Sequence, residues 1–273
     1  MPKGKFDNII IVSDLDGTFF NSQSVPAPAN LEALAYFKAN GGRFTFATGR
    51  GETAVHKKPL GGVANIPVIL ANGAVIADYD RYVRLREVPM HPVCVGRLHK
   101  IQQAHPQTAV TLVCKDLVCG WNRNERMQQY ITHNDIPLTQ LPPGQPFTGA
   151  VDKTVICGDH EELLQIADEL RRANVPDTAI MFSTDYFLEL VNETSTKGKA
   201  LRPLAELCGC PDATVFAIGD YQNDLEMLQT ADFSATPVNG LDELKHQADY
   251  VVASNDEGAV ADLIRIIEKK HCK

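Results

Sequence analysis

Apolar runs in this chain are short, and in its first and last thirds they stop abruptly at polar residues. Ile9-Ile10-Ile11-Val12 leads into Ser13-Asp14-Leu15-Asp16-Gly17-Thr18. Four apolar residues in a row predict a strand buried on both faces, Ile9–Ser13, and so a central parallel strand. From Pro28 to Asn40, Leu31, Leu34, Ala35 and Phe37 share one helical face, and Gly41-Gly42 stops the helix. Arg43–Ala47 predicts the next strand, ending in Thr48-Gly49-Arg50-Gly51, and Val68–Leu70 a third, ending in Ala71-Asn72-Gly73. Such alternation implies a parallel sheet with right-handed crossovers.

The pattern changes in the middle of the chain. Thr108–Cys114 and Leu117–Trp121 flank Lys115-Asp116 and predict a hairpin. Asn124–Asn134 predicts a helix, residues 141–146 a loop, Asp152–Cys157 a strand and His160–Asn174 a helix. Ala179–Ser183 and Phe187–Val191 predict two more strands around Thr184-Asp185. The first pattern then returns, with helices over Lys199–Cys208, Asp224–Thr230, Leu241–Gln247 and Gly258–Lys269. Strands Ala213–Ile218, Phe233–Ala235 and Val251-Val252 alternate with them. The predicted fold class is α/β, with a Rossmann-like parallel-sheet core from residues 1–84 and 186–273 and an inserted α+β domain from residues 85–185.

Composition narrows the classes of partner. The 273-residue chain is 44% hydrophobic and 22% charged, ordinary for a globular protein. A net charge of −8 without a Lys/Arg stripe argues against nucleic acid, so any positive charge that receives an anionic substrate must be local. The seven cysteines are scattered and none forms a Cys-x-x-Cys pair, which supports neither a disulfide framework nor a zinc site. Reduced thiols in a cytoplasmic protein are expected. The most apolar window, Gly61 to Ala77, is interrupted by Asn65, Pro67, Asn72 and Gly73, so no membrane span is expected. The N-terminal apolar run is too short for a secretory signal and leads into acids.

The polar strand ends carry the chemistry. Open parallel sheets bind ligands beyond the carboxyl ends of their strands. Asp14 and Asp16, then Thr48, Gly49 and Arg50, then Asp220, Asn223 and Asp224 should therefore meet on one rim. Thr196-Lys197-Gly198-Lys199 precedes a helix, and a Lys of this stretch can reach the same rim. Several carboxylates on one rim repel each other unless a cation is present. Oxygen-only ligands favour Mg2+. A carboxylate held on a metal can attack phosphorus, and a Thr hydroxyl, backbone N–H groups and a Lys ammonium are ligands for phosphate oxygens. Phosphomonoester hydrolysis asks for an acceleration of up to about 10²¹-fold, or roughly 28 kcal/mol, which no single side chain supplies.

These motifs resemble those of the haloacid dehalogenase superfamily, in particular its Cof-type phosphatases with a large α/β cap. Asp14 to Thr18 is similar to the family's Asp-x-Asp-Gly-Thr, and Thr48 in Ala47-Thr48-Gly49-Arg50 to its strand-end Thr. Lys197-Gly198 is similar to its Lys-Gly step, and Gly219-Asp220-Tyr221-Gln222-Asn223-Asp224 to its Gly-Asp-x-x-Asn-Asp. The resemblance implies a phosphatase acting on a small, sugar-phosphate-like metabolite, with a catalytic core and a cap that sets substrate specificity. It implies Asp14 as nucleophile and Asp16 as proton donor and acceptor. Mg2+ would be held by Asp14, the backbone carbonyl of Asp16, and Asp220, with Asp224 supporting it directly or through water. Thr48 and Lys197 would bind the phosphoryl group, with Leu15, Gly49, Arg50, Asn72 and Asn223 as further phosphate or substrate contacts. Phe19-Phe20 and Thr236-Pro237-Val238-Asn239-Gly240 depart from the family pattern near the expected leaving group. Trp121, Arg123 and Arg126 could face the leaving group but are expected to pack at the surface, and His91, His99, His105 and His133 show no ligand spacing. Two other functions compete. A receiver-type phosphorylation switch lacks an acid two residues after its acceptor and has no inserted domain. A sugar phosphomutase carries a helical cap between the first and second motifs, where this chain has room for one helix.

Overall fold

The computed structural model describes residues 4–142 and 145–272, so Pro143 and Gly144 of the expected loop lie outside the described residues. The chain opens with β1 (Ile9–Ser13), α1 (Pro28–Ala39), β2 (Arg43–Phe46), α2 (Glu52–Val55) and β3 (Val68–Leu70). It continues through β4 (Val75–Asp78), β5 (Val83–Glu87), α3 (Pro92–Ala104), β6 (Ala109–Val113), β7 (Val118–Trp121), α4 (Glu125–His133) and β8 (Leu138–Gln140). Next come β9 (Lys153–Cys157), α5 (His160–Arg172), β10 (Thr178–Thr184), β11 (Phe187–Asn192) and α6 (Lys197–Leu207). The last elements are β12 (Thr214–Ile218), α7 (Leu225–Thr230), β13 (Phe233–Pro237), α8 (Asp242–Gln247), β14 (Tyr250–Val252) and α9 (Ala259–His271).

A five-stranded parallel sheet, in the order β14-β13-β12-β1-β2, forms the core. The unbroken apolar run of β1 has a direct cause. Ile9 and Ile11 pack with α1 and α9, while Ile10 and Val12 pack with α6 and α7. Burying each such side chain contributes about 1.5–3 kcal/mol. β3 continues the sheet past β2 through an Ala47–Ile69 bridge, and then turns back into an antiparallel sheet with β4 and β5.

The second sheet has the order β10-β11-β9-β6-β7-β8 and is antiparallel except for β7 with β8. On one face Val110, Leu112, Ile156, Leu188 and Leu190 pack under α3 and α5. On the other face α4 covers Ala109, Val155 and Cys157. Both expected domain breaks fall inside hairpins. β5 pairs with β4, and β11 pairs with β10 and β9, so Val83–Glu87 stays with β4 and Phe187–Asn192 joins the second sheet. Helices α2 and α3 and strands β4, β5 and β8 were not expected. In α3 the buried Cys94, Val95, Leu98 and Ile101 make a stripe diluted by Gly96, Arg97 and Lys100.

Arg84 of β5 ties the chain segments that run between the two sheets. Its guanidinium pairs with Glu52 of α2 (Nε to Oε2, 2.9 Å), with Glu87 (2.9 Å) and with Asp152 just before β9 (Nη2 to Oδ2, 2.6 Å). Replacing it with Met leaves Glu52 and Asp152 largely buried without their partner. Such a loss typically costs about 3–5 kcal/mol. Arg84→Met is therefore expected to lower the urea midpoint clearly, and an unchanged midpoint would show that the cluster stabilises nothing.

Candidate active site

β1 delivers its acids to the carboxyl rim of the core sheet. The Asp14 N–H donates to the Ile218 carbonyl at 2.9 Å, continuing the ladder with β12 by one residue. The chain then turns, closed by the Phe20 N–H on the Leu15 carbonyl at 2.7 Å. Leu15, Phe19 and Phe20 put their side chains into the core, so a phosphate contact by Leu15 falls to its backbone. The two Phe side chains are thereby removed from the leaving-group neighbourhood expected for them. Gly17 has φ +81°, and a Cβ there would lie 2.3 Å from Asp220 Oδ2. A glycine is what lets this turn pass so close to the acid of β12. Thr18 Oγ1 donates to Asp220 Oδ1 at 2.7 Å, and Asn239 Nδ2 donates to the Gly17 carbonyl at 2.8 Å.

Lys197 is the first residue of α6, whose cap is Thr196 accepting the Lys199 N–H at 3.3 Å. Its side chain is fully buried, and Nζ donates to Asp14 Oδ1 at 2.6 Å and Asp224 Oδ1 at 2.7 Å. Lys199 instead reaches out to the Glu193 carbonyl at 2.6 Å. The Lys-Gly step has a packing reason, since a Cβ at Gly198 would lie 2.7 Å from the Glu226 carbonyl oxygen of α7. Asp224 Oδ2 accepts the Asp220 and Tyr221 N–H groups at 3.1 and 3.2 Å.

Asp14, Asp220 and Asp224 bring one carboxylate oxygen each within 4.8 Å of one another. Burial pushes the Asp14 carboxyl well above the usual range; Lys197 opposes the shift, and Asp224 and Asp220 add to it. Burial and then the Asp224 charge push Asp220 up to about 7. Burial disfavours the charge on Lys197, yet Asp14 and Asp224 outweigh it and hold the ammonium above its ordinary value. The cluster is short of positive charge even with Lys197 in place. Its all-oxygen donor set therefore fits a hard divalent cation.

Asp16 stands apart from this cluster. Its carboxylate takes a two-pronged pair from Arg50, Nε to Oδ2 at 2.7 Å and Nη2 to Oδ1 at 2.9 Å. Arg50 is buried and also donates from Nη1 to Asn134 Oδ1 at 2.7 Å, at the end of α4. Thr48 is buried where β2 ends, and its Oγ1 accepts the Arg50 N–H at 3.1 Å. Asn72 is fully buried at φ +55°, a conformation Asn tolerates. Its amide donates to Glu189 and accepts from Asn223 Nδ2 at 3.3 Å, so it bridges the rim to the second sheet where a substrate contact was expected.

The rim opens into a cavity of about 440 Å³ lined by Asp14, Asp16, Thr48, Gly49, Arg50, Asp220, Asn223 and Asp224 from the core. Tyr130, Lys153, Ser183 and Glu189 line it from the second sheet and α4; sequence reasoning missed these four and Asn134. Trp121 is buried in the second core rather than packed at the surface, and Arg126 stacks on Tyr186 at 3.7 Å as a surface packing residue. No helix among the described residues is long and apolar enough to cross a membrane.

A parallel sheet with an acid-lined carboxyl rim, facing a second sheet across a cavity, places the ligand site of an open α/β protein beyond its strand ends. The chain belongs to the haloacid dehalogenase-like hydrolase family, whose model matches residues 11–264. It is 29% identical to the 5-amino-6-(5-phospho-D-ribitylamino)uracil phosphatase of Bacillus subtilis, over 92% of this chain and 95% of that protein. It is 25% identical to the pyridoxal phosphate phosphatase of Escherichia coli, over 93% of this chain and 97% of that protein. A solved haloacid dehalogenase-like hydrolase from Bacteroides thetaiotaomicron matches with a TM-score of 0.80 at 27% identity, over 96% of this chain and 99% of that one. Family, fold and rim together make the protein a phosphoric monoester hydrolase of this superfamily.

Proposed function

We propose that the protein hydrolyses the phosphomonoester of a small metabolite through a phosphorylated Asp14, with Mg2+ as cofactor, in the cytoplasm. One observation carries this reading. Asp14 and Asp16 are two residues apart, yet one sits on Lys197 within an acidic cluster and the other on Arg50 outside it. Two carboxylates in different surroundings suit two different roles. The relatives named above act on small phosphorylated molecules, which supports the substrate class.

Asp14 attacks phosphorus, and the bond to the ester oxygen breaks as Asp16 supplies that oxygen with a proton. Asp16 then takes a proton from water, which attacks the aspartyl-phosphate and releases inorganic phosphate and Asp14. Arg50 holds the ionised Asp16 carboxylate in place between turnovers, and this pair opens when Asp16 carries the proton. Lys197 and Thr48 meet the phosphoryl oxygens, with the backbone at Leu15 and Gly49 and the Asn223 amide nearby. Asp14, Asp220 and Asp224, with the Asp16 carbonyl, would hold Mg2+. When bound, the ion supplies charge that stabilises the phosphoryl oxygens. Residues 88–192 are the cap that selects the leaving group.

The protein is expected to release nitrophenol from p-nitrophenyl phosphate with Mg2+, to stop in EDTA, and to recover when Mg2+ is restored. Absence of hydrolysis with Mg2+ would sink the reading. Asp16→Asn is expected to lower kcat by roughly 10²–10⁴-fold. Its affinity for inorganic phosphate should stay within a few-fold of wild type; equal losses in both would remove Asp16 from proton transfer.

A further inference from the structure

We propose that Lys153 and Glu189 read the leaving group, accepting one with adjacent uncharged hydroxyls and rejecting one that carries a second anionic group. The proposal rests on the phosphatase reading and concerns the far side of the same cavity. Lys153 shares a strand face with Val155 and Cys157, and Glu189 shares one with Phe187 and Val191. α4 covers Val155 and Cys157 but not the end of the sheet where Lys153 lies, so both charges line the cavity over the rim. Their residues are only 4% and 6% exposed.

The pair is built rather than accidental. Lys153 Nζ donates to Glu189 Oε2 at 2.6 Å, Ser183 Oγ donates to Oε1 at 2.8 Å, and the Asn72 amide of the core also donates to Oε2. Asn72 is in turn held by Asn223. The carboxylate is thus fixed against the rim on which the phosphate sits. Among the described residues Glu189 is the one hydrogen-bond partner of Lys153 Nζ, which leaves an ammonium with two further protons to donate.

Charge bookkeeping gives the selectivity. Among the described residues, the cationic side chains that line the cavity are committed, Arg50 to Asp16 and Lys153 to Glu189, and Lys197 beside it is held by Asp14 and Asp224. A second phosphate or carboxylate on the leaving group would meet no uncommitted positive charge, and would lie against Glu189. Neighbouring hydroxyls of a sugar or polyol suit the pair, because one accepts from Nζ while the next donates to the carboxylate. A desolvated ion pair that is left without such partners is costly, so a substrate lacking hydroxyls forfeits binding.

The test compares fructose 6-phosphate, ribose 5-phosphate and glucose 6-phosphate with fructose 1,6-bisphosphate and with hydroxyl-free p-nitrophenyl phosphate. The wild type should show kcat/KM for its best sugar monophosphate above that for p-nitrophenyl phosphate, and at least about tenfold above that for the bisphosphate. Lys153→Met combined with Glu189→Gln removes both charges together. It should lower kcat/KM on the sugars by about 10–100-fold, chiefly through KM, and leave p-nitrophenyl phosphate no lower than in the wild type, since the unpartnered pair no longer costs it binding. Equal losses on both kinds of substrate in the folded variant would overturn the proposal. So would wild-type cleavage of the bisphosphate as fast as the monophosphates, or no sugar exceeding p-nitrophenyl phosphate; both are read without any variant. Wild-type failure on p-nitrophenyl phosphate itself would instead overturn the phosphatase reading.

Discussion

Asp14→Asn leaves a folded protein that no longer hydrolyses p-nitrophenyl phosphate, with kcat down by roughly 10⁴–10⁶-fold, the scale seen when a covalent nucleophile is removed. The substitution is nearly isosteric, so little repacking is needed in a site where Asp14 is 6% exposed. An amide oxygen is a poor nucleophile toward phosphorus and carries no charge to share with a cation. Stability should move the other way. Asp14 is one of three carboxylates drawn together, and burial with its acidic neighbours already disfavours its charge. Removing that charge relieves repulsion, and Lys197 keeps Asp224. The thermal midpoint measured in EDTA should hold or rise while activity disappears. Full activity in this variant would exclude the aspartyl-phosphate route. A fall in activity matched by unfolding would show that Asp14 matters to the fold and leave its chemistry to another carboxylate.

The parts of this molecule that were legible in sequence are those in which local pattern and burial agree. The apolar run of β1, the stop at Gly41-Gly42 and the polar strand ends follow from elements with one buried face or two. The rim itself was legible because strands of a parallel sheet deliver their ends to the same side. β5 shows why other parts were not. Val83-Arg84-Leu85-Arg86-Glu87 alternates, but Val83 and Leu85 point to solvent and Arg84 points in, towards Glu52 and Asp152. The period is visible in the residues while its sense is set by partners far along the chain. Asp16 and Arg50 were both singled out, but their pairing spans 34 residues and needed the β2 strand end to be placed beside β1. Lys153 and Glu189 did leave a signal. Each is a charge whose neighbours two positions away along the strand are apolar, so burial of that face buries the charge too. Buried charge is expensive unless paired, which makes a charge on an otherwise apolar strand face a candidate for function from its residues alone.

Lys197→Met is expected to cost about 3–5 kcal/mol of folding stability in EDTA, the range for removing one partner of a buried ion pair. The side chain it replaces is fully buried and of similar length, so the loss is electrostatic rather than steric. Asp14 and Asp224 would then face each other and Asp220 with no cation among them. Two comparisons separate this account from simple core damage. A divalent cation that occupies the cluster supplies the missing charge, and binding at 100 times its Kd stabilises a folded state by about 2.7 kcal/mol. Saturating Mg2+ should therefore recover much of the loss in Lys197→Met. Adding Asp224→Asn to Lys197→Met should also recover stability in EDTA, because one of the two orphaned charges is gone. Neither rescue restores turnover to the wild-type level, since the phosphoryl group still lacks the ammonium that meets it. If Lys197→Met melts with the wild type in EDTA, the three acids are not held together by this lysine. The cluster would then have to be stable as protonated carboxyls, and its case as a cation site would fail with it.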